Sequence, residues 1–307
     1  MKILITGGAG FQGSHIVEEC IRSGHEVTVL NTFSFEAEQN LRDFENDTRI
    51  VWGSVTDEEI VEKTIRGQDA VIHLAARINV DESIDVPRKH LMANVIGTNV
   101  VLEAVRRQGC RLVYASSCEV YGSAGGAAIS EQHELRPHSP YAASKAGADR
   151  LCFAYWKTYA TDITIVRPCN IYGPKQKGGV GGAVIAIFVD RALAGRELTV
   201  FGTGEQRREY MYVDDLVAGY MQILERPDLS GEVINLGTGE TPSVLEIANI
   251  IGQRLGVAIE HAPPRAGEVD GFFLDSSKAQ QLGIRPGVRF VDGVEKYINW
   301  RRGKAGS

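Results

Sequence analysis

Apolar positions cluster into short, nearly unbroken runs over the first two-thirds of the chain. KILITG, EVTVLN, RIVWG, AVIHLA, RLVYAS and ITIVRP are rich in Val and Ile and show little alternation with polar residues. Runs of that kind read as strands buried on both faces. Between them lie stretches with helical apolar spacing: Ser14 to Ser23, Asp57 to Arg66, Pro87 to Gln108 and Tyr141 to Tyr159. Strand and helix in alternation predict an α/β fold, a doubly wound parallel sheet of the Rossmann type. The last third is looser. It holds the glycine-rich stretch KQKGGVGGA, a strand candidate at LTVFG, helix candidates at 213–225 and 243–255, and a polar segment around 263–277. The pattern predicts a dinucleotide-binding domain over 1–166 and a smaller C-terminal α/β substrate lobe over 167–307. Segments near 213–238, helix and the strand GEVINLG, are expected to return to the first domain. No internal repeat stands out.

Composition narrows the class. The chain has 307 residues, 43% of them hydrophobic, enough for a full core. Its net charge of −6 argues against a nucleic-acid partner and requires any anionic ligand to be held by a few local basic residues. Five scattered cysteines without CxxC spacing favour reduced thiols over a disulfide framework, and no metal site is expected. No apolar run approaches a membrane span, and the first residues enter a strand and a glycine loop directly. A cytoplasmic protein with no membrane partner is therefore expected.

The first strand leads into Gly7-Gly8-Ala9-Gly10-Phe11-Gln12-Gly13, and a helix follows. Glycines at 7, 10 and 13 let the backbone turn tightly and approach a phosphate, while the helix start offers N–H groups and a positive dipole end. In a strand–loop–helix context this spacing points to a dinucleotide. The acidic residue expected at the end of the second strand, for the ribose hydroxyls, is replaced by Asn31. Asn31 can still hydrogen-bond a ribose, and no Arg or Lys stands beside it to pair with a 2′-phosphate. The expectation is NAD rather than NADP.

Tyr141-Ala142-Ala143-Ser144-Lys145 opens a helix, and the i, i+4 spacing puts phenol and amine on one face. A cation beside a phenol favours the phenolate, a base able to take a hydroxyl proton while hydride leaves the same carbon.

GGAGFQG, HLAA (73–76), SSCEVYG (116–122), YAASK (141–145), RPCNIYGP (167–174) and YVDDLV (212–217) together resemble the extended short-chain dehydrogenase/reductase family, in its nucleotide-sugar epimerase and dehydratase branch. The match runs from the first strand to about Asp275. The resemblance implies a tightly held NAD, a sugar oxidised at C4, altered and reduced again, and a homodimer formed through the stretches 87–108 and 141–159. It implies that Gly7, Gly10 and Gly13 hold the pyrophosphate, and that Phe11, Gln12, Ser54, Val55, Leu74, Ala75, Ala76 and Asn94 line the cofactor. Ser54 departs from the Asp usual at the adenine. Tyr141 would be the base for the C4 hydroxyl, Lys145 would bind the nicotinamide ribose, and Ser117 would hydrogen-bond the C4 oxygen. Asn79, Asn170, Arg208 and Arg265 would contact substrate, the last three at the diphosphate.

The reaction after oxidation turns on Cys118 and Glu119. In 4,6-dehydratases the matching triplet is Thr-Asp-Glu, whose Glu removes the C5 proton while the Asp protonates the departing C6 hydroxyl. Here the carboxylate is kept at Glu119 and a thiol replaces the Asp. A thiol of ordinary pKa, about 8.5, is mostly protonated at neutral pH and can donate that proton. Asn79-Val80-Asp81-Glu82-Ser83-Ile84 partly matches the dehydratase His-Val-Asp-Arg-Ser-Ile. The Ser-Cys-Glu arrangement is similar to that of the UDP-N-acetylglucosamine 5,6-dehydratase branch of tunicamycin biosynthesis. The reading is a dehydratase acting on a UDP-sugar, with a 5,6-ene favoured over a 4-keto-6-deoxy product. The alternatives are a UDP-sugar 4-epimerase, a UDP-glucuronate decarboxylase, and a non-catalytic NAD-sensing protein.

Overall fold

The computed structural model describes residues 1–123, 127–179, 182–264 and 273–305. In chain order the elements are β1 (Lys2–Thr6), α1 (Phe11–Arg22), β2 (Glu26–Asn31), α2 (Phe35–Leu41), β3 (Thr48–Trp52), α3 (Glu58–Ile65) and β4 (Ala70–His73). Next come α4 (Val80–Asp85), α5 (Pro87–Leu91), α6 (Gly97–Gln108), β5 (Arg111–Ala115), β6 (Ala128–Ile129), α7 (Pro140–Tyr159) and β7 (Ile163–Pro168). The remainder is β8 (Asn170–Tyr172), α8 (Val184–Leu193), β9 (Leu198–Phe201), β10 (Tyr210–Tyr212), α9 (Val213–Leu224), β11 (Val233–Leu236), α10 (Val244–Leu255), β12 (Ile259–Ala262), β13 (Phe273–Leu274), α11 (Ser277–Gln281) and α12 (Phe290–Ala305).

Two compact units are formed. The first comprises Met1–Gly122, Glu134–Pro168 and Val217–Asn235. The central sheet has the order β11-β7-β5-β4-β1-β2-β3. Every pairing from β7 to β3 is parallel. The doubly wound α/β fold expected from the apolar runs is thus the observed one. Strands β4, β5 and β7 are buried along their whole length, which is why their sequences carry no alternation. A core of Leu4, Leu30, Val71, Leu112 and Tyr114 from the strands packs with Val61 and Ile65 of α3, Val101 and Val105 of α6, and Ala148 and Cys152 of α7.

The stretch expected as one helix over 87–108 is helical throughout, with one irregular turn inside it. Met92–Ile96 forms a π-helical turn between α5 and α6. The added residue turns Asn94 inward, where it is buried.

The second unit comprises Ser123–His133, Cys169–Leu216 and Leu236–Ser307. Within it β8 pairs with β10, β9 with β12, and β6 with β13, all parallel. Its organising group is Glu209, a buried carboxylate accepting from the backbone N–H of Gly239 and Leu274, both at 2.7 Å. Among the described residues, no helix is long and apolar enough to cross a membrane. All five cysteines are free and buried.

Candidate active site

The glycine loop joins β1 to α1 at the centre of the sheet. Gly7 has φ +73°, and a Cβ there would lie 2.7 Å from the Ala75 nitrogen. At Gly13 a Cβ would meet the Gly7 carbonyl oxygen at 2.2 Å. Both positions therefore admit only glycine. Helix α1 starts at Gly10 with no side-chain cap, so no side chain satisfies its first N–H groups, an arrangement suited to a bound diphosphate. Two asparagines grip the Ala9 peptide: Asn31 Oδ1 accepts from its N–H at 3.2 Å, and Asn40 Nδ2 donates to its carbonyl at 3.0 Å. Asn31 also donates to the Thr32 carbonyl, so both ends of its amide are engaged with backbone. Asn40 was not legible in advance, because its partner lies 31 residues away.

Around the loop, Ser54 hydrogen-bonds the Thr56 hydroxyl at 2.8 Å, and Val55 is buried. Leu74, Ala75 and Ala76 follow β4 and are half-buried. Ser54 and Thr56 also line a cavity of about 600 Å³ with Arg77, Arg88, Lys89 and Met92. Asn94 accepts from the Arg77 N–H and donates to the Arg77 carbonyl and the Ser144 hydroxyl. Its amide clamps the chain after β4 onto α7.

Helix α7 starts where Ser139 caps the Ala142 N–H, with Pro140 at the first turn. Tyr141 and Lys145 share its buried face, at 9% and 4% exposure. The Tyr141 N–H donates to the Ser83 hydroxyl of α4 at 3.1 Å, and its ring meets His90 of α5 edge-on at 6.4 Å. Burial holds the Tyr141 phenol well above its ordinary pKa. A hydrogen bond with Ser117 opposes this, while the neighbouring Glu119 and Cys118 push it further up. Burial lowers Lys145 to about 8. Its ammonium donates to the Ala115 carbonyl and lies 4.5 Å from the Tyr114 ring centroid. Burial thus works against the phenolate that the Tyr141–Lys145 spacing is expected to favour.

Strand β5 ends at Ala115, and Ser117 caps a short 3₁₀ turn, Cys118–Tyr121, by accepting from the Glu119 N–H at 3.2 Å. Cys118 is buried and Glu119 half-buried. The structure thus brings Ser117, Cys118 and Glu119 beside Tyr141, with Lys145 one turn along the same buried helix face. Asn79 is exposed and caps α4, accepting from the Glu82 N–H. Asn170 and Arg208 belong to the second unit. Asn170 Nδ2 donates to the Glu209 carbonyl, and Arg208 donates to the Arg207 carbonyl. Arg265 lies outside the described residues.

Residues 3–237 match the model of the NAD dependent epimerase/dehydratase family. A dTDP-glucose 4,6-dehydratase from an Actinoplanes species is 37% identical over 318 residues, covering 98% of each chain. The structure of the dTDP-glucose 4,6-dehydratase DesIV from Streptomyces venezuelae, solved with NAD bound, superposes with a TM-score of 0.92 at 34% identity, covering 100% of this chain and 98% of that one. A UDP-glucose 4-epimerase from Thermotoga maritima, solved with UDP-glucose, gives 0.94 at 32% identity, covering 99% of this chain and all of that one. Dehydratases and epimerases are thus matched about equally well.

Proposed function

The chain belongs to the NAD dependent epimerase/dehydratase family, and we propose that within it the protein is a dehydratase acting on UDP-N-acetylglucosamine, removing water across C5–C6. The observation that carries this reading is the Glu119 carboxylate and Cys118 thiol beside the Tyr141–Ser117 pair. Epimerisation at C4 needs the Tyr and Ser but has no use for a carboxylate at C5. The glycine cradle, closed to any Cβ at Gly7 and Gly13, fits NAD. When bound, NAD supplies the hydride acceptor and a cationic ring that favours the Tyr141 phenolate.

The chain's own residues divide the proton work. Tyr141 takes the C4 hydroxyl proton, with Ser117 hydrogen-bonded to the same oxygen. Lys145 holds the nicotinamide ribose. With C4 a ketone the C5 proton is acidic, and Glu119 removes it. Cys118 gives its thiol proton to the departing C6 hydroxyl, which leaves as water. Glu119 then carries the proton that Cys118 has lost, and a transfer between these neighbours resets the pair. Asn79, Asn170, Arg208 and Arg265 serve the UDP-sugar, the last two as the local positive charge on its diphosphate. The favoured product is the 5,6-ene with its C4 hydroxyl restored: Tyr141 gives its proton back to the C4 oxygen as the stored hydride returns to C4, so the net change is the loss of one water.

Glu119→Gln tests the assignment. It is expected to abolish water loss while NAD binding, followed by fluorescence titration, persists. Full dehydratase activity in this variant would remove Glu119 from the mechanism.

A further inference from the structure

A buried ion pair outside the groups named above ties the two sides of the site together. Asp149 of α7 and Arg167 of β7 are 0% and 1% exposed and meet through two hydrogen bonds, Nε to Oδ2 at 2.8 Å and Nη2 to Oδ1 at 2.9 Å. Asp149 stands four residues after Lys145 and eight after Tyr141, so the three share one face of α7. Its remaining capacity is used on Ser116, whose hydroxyl donates to Oδ2 at 2.7 Å, and on Arg150. Arg167 donates through Nη1 to the Tyr121 hydroxyl at 2.8 Å and lies 4.8 Å from that ring's centroid. Tyr121 in turn donates to Asn235 Oδ1 of β11 at 2.7 Å.

Ser116 and Tyr121 are the residues that bracket Ser117, Cys118 and Glu119. Both ends of the segment that carries the carboxylate and thiol are therefore fastened to one ion pair, and its acidic member, Asp149, belongs to the helix that carries Tyr141 and Lys145. Successive turns of α7 grip successive residues of the strand end: Lys145 holds the Ala115 carbonyl, and Asp149 holds the Ser116 hydroxyl. Burial alone would raise the Asp149 pKa, but Arg167, Arg150 and Ser116 hold it below the ordinary carboxylate range. A buried ion pair is a poor source of net stability compared with apolar packing. This one spends its hydrogen bonds on the two residues flanking the reactive segment, which is the arrangement a positioning device requires.

We propose that Asp149 and Arg167 are positioning residues that set the Ser117–Glu119 segment in register with Tyr141. The inference rests on the assignment of Ser117, Cys118 and Glu119 to the reaction.

Ser116→Ala and Tyr121→Phe each remove one hydroxyl tie and leave the ion pair intact. The experiment measures kcat, KM, NAD affinity and Tm for both variants on the reaction that the wild type performs. A displacement of about 1 Å in such a site can cost up to roughly 100-fold in rate. The expected result is a fall in kcat of roughly tenfold in each variant, with KM and NAD affinity unchanged, and recovery in Ser116→Thr, which restores the hydroxyl. Wild-type kcat in both variants with only Tm lowered would overturn the proposal, as would NAD affinity falling in step with kcat. The dehydratase reading fails on a different result, a wild-type product of unchanged mass, and the ratio of variant to wild-type kcat is still measured on that product.

Discussion

At the residue scale the site is governed by desolvation. Lys145 is almost fully buried, its charge met by a carbonyl and a ring face, and its pKa falls from 10.5 to about 8 because of burial. Its charged form is thus destabilised in the folded chain, so the unfolded chain binds more protons between about 8 and 10.5. Stability should therefore rise with pH across that window, and the cost of burying the charge is fully present below it. Lys145→Met is expected to lose turnover yet unfold at a higher temperature than wild type at pH 7, with the gap narrowing as the pH rises above about 8. Thermal melts of the cofactor-free proteins at several pH values check this. A lower Tm for the variant at pH 7 would show that the carbonyl and ring contacts outweigh desolvation. The spacing of Tyr141 and Lys145 was legible because one helical turn fixes it. The direction of the Tyr141 shift was not, since it depends on burial and on Glu119 and Cys118, which approach from another part of the chain.

At the element scale the strands were legible and the joints between elements were not. A parallel strand buried on both faces writes itself as a continuous apolar run, so β1 to β5 and β7 coincide with those runs to within a residue or two. The π-helical turn at Met92–Ile96 leaves no comparable trace, since one inserted residue barely alters the helical pattern. Helix α12 has little one-sidedness in its sequence and passed unread. The ties that orient the site, Ser83 to Tyr141 and Ser116 to Asp149, join residues 58 and 33 apart. One such joint has a measurable signature. His73, the last residue of β4, shares hydrogen bonds with Thr6 of β1 at 2.5 Å and Thr98 of α6 at 2.9 Å. Burial, aided by the Lys145 charge, lowers its pKa from 6.5 to about 3. The folded chain thus keeps His73 neutral while the unfolded chain takes up a proton. Its contribution is complete above pH 6.5 and is lost as the pH falls toward about 3, at about 1.4 kcal/mol per pH unit for one proton. Urea midpoints measured between pH 6.5 and 4 should fall less steeply for His73→Gln than for wild type, and equal slopes would contradict the neutral assignment.

At the scale of the whole molecule, the surface of the first unit bears on assembly. Leu91 at the end of α5 and Met92 and Ile96 in the turn before α6 are 44–47% exposed, and Phe153 and Tyr159 of α7 are 38% and 52% exposed. We propose that these helices form the homodimer seam. Light scattering is expected to give twice the chain mass for wild type and the chain mass for Ile96→Glu with Phe153→Glu. A monomeric wild type would end that proposal. The family was legible in the sequence because its motifs recur in order along nearly the whole chain, and comparison with known proteins agrees on NAD and on the epimerase/dehydratase family. The branch was not settled by overall likeness, because dehydratases and epimerases match about equally well. The proposed assignment to the dehydratases rests on two side chains, Cys118 and Glu119. The most direct test is the mass of the product formed from UDP-N-acetylglucosamine by the NAD-loaded enzyme. Loss of one water is expected, with vinyl protons in the product's NMR spectrum. A product of unchanged mass and altered retention time would contradict it and make the protein a 4-epimerase.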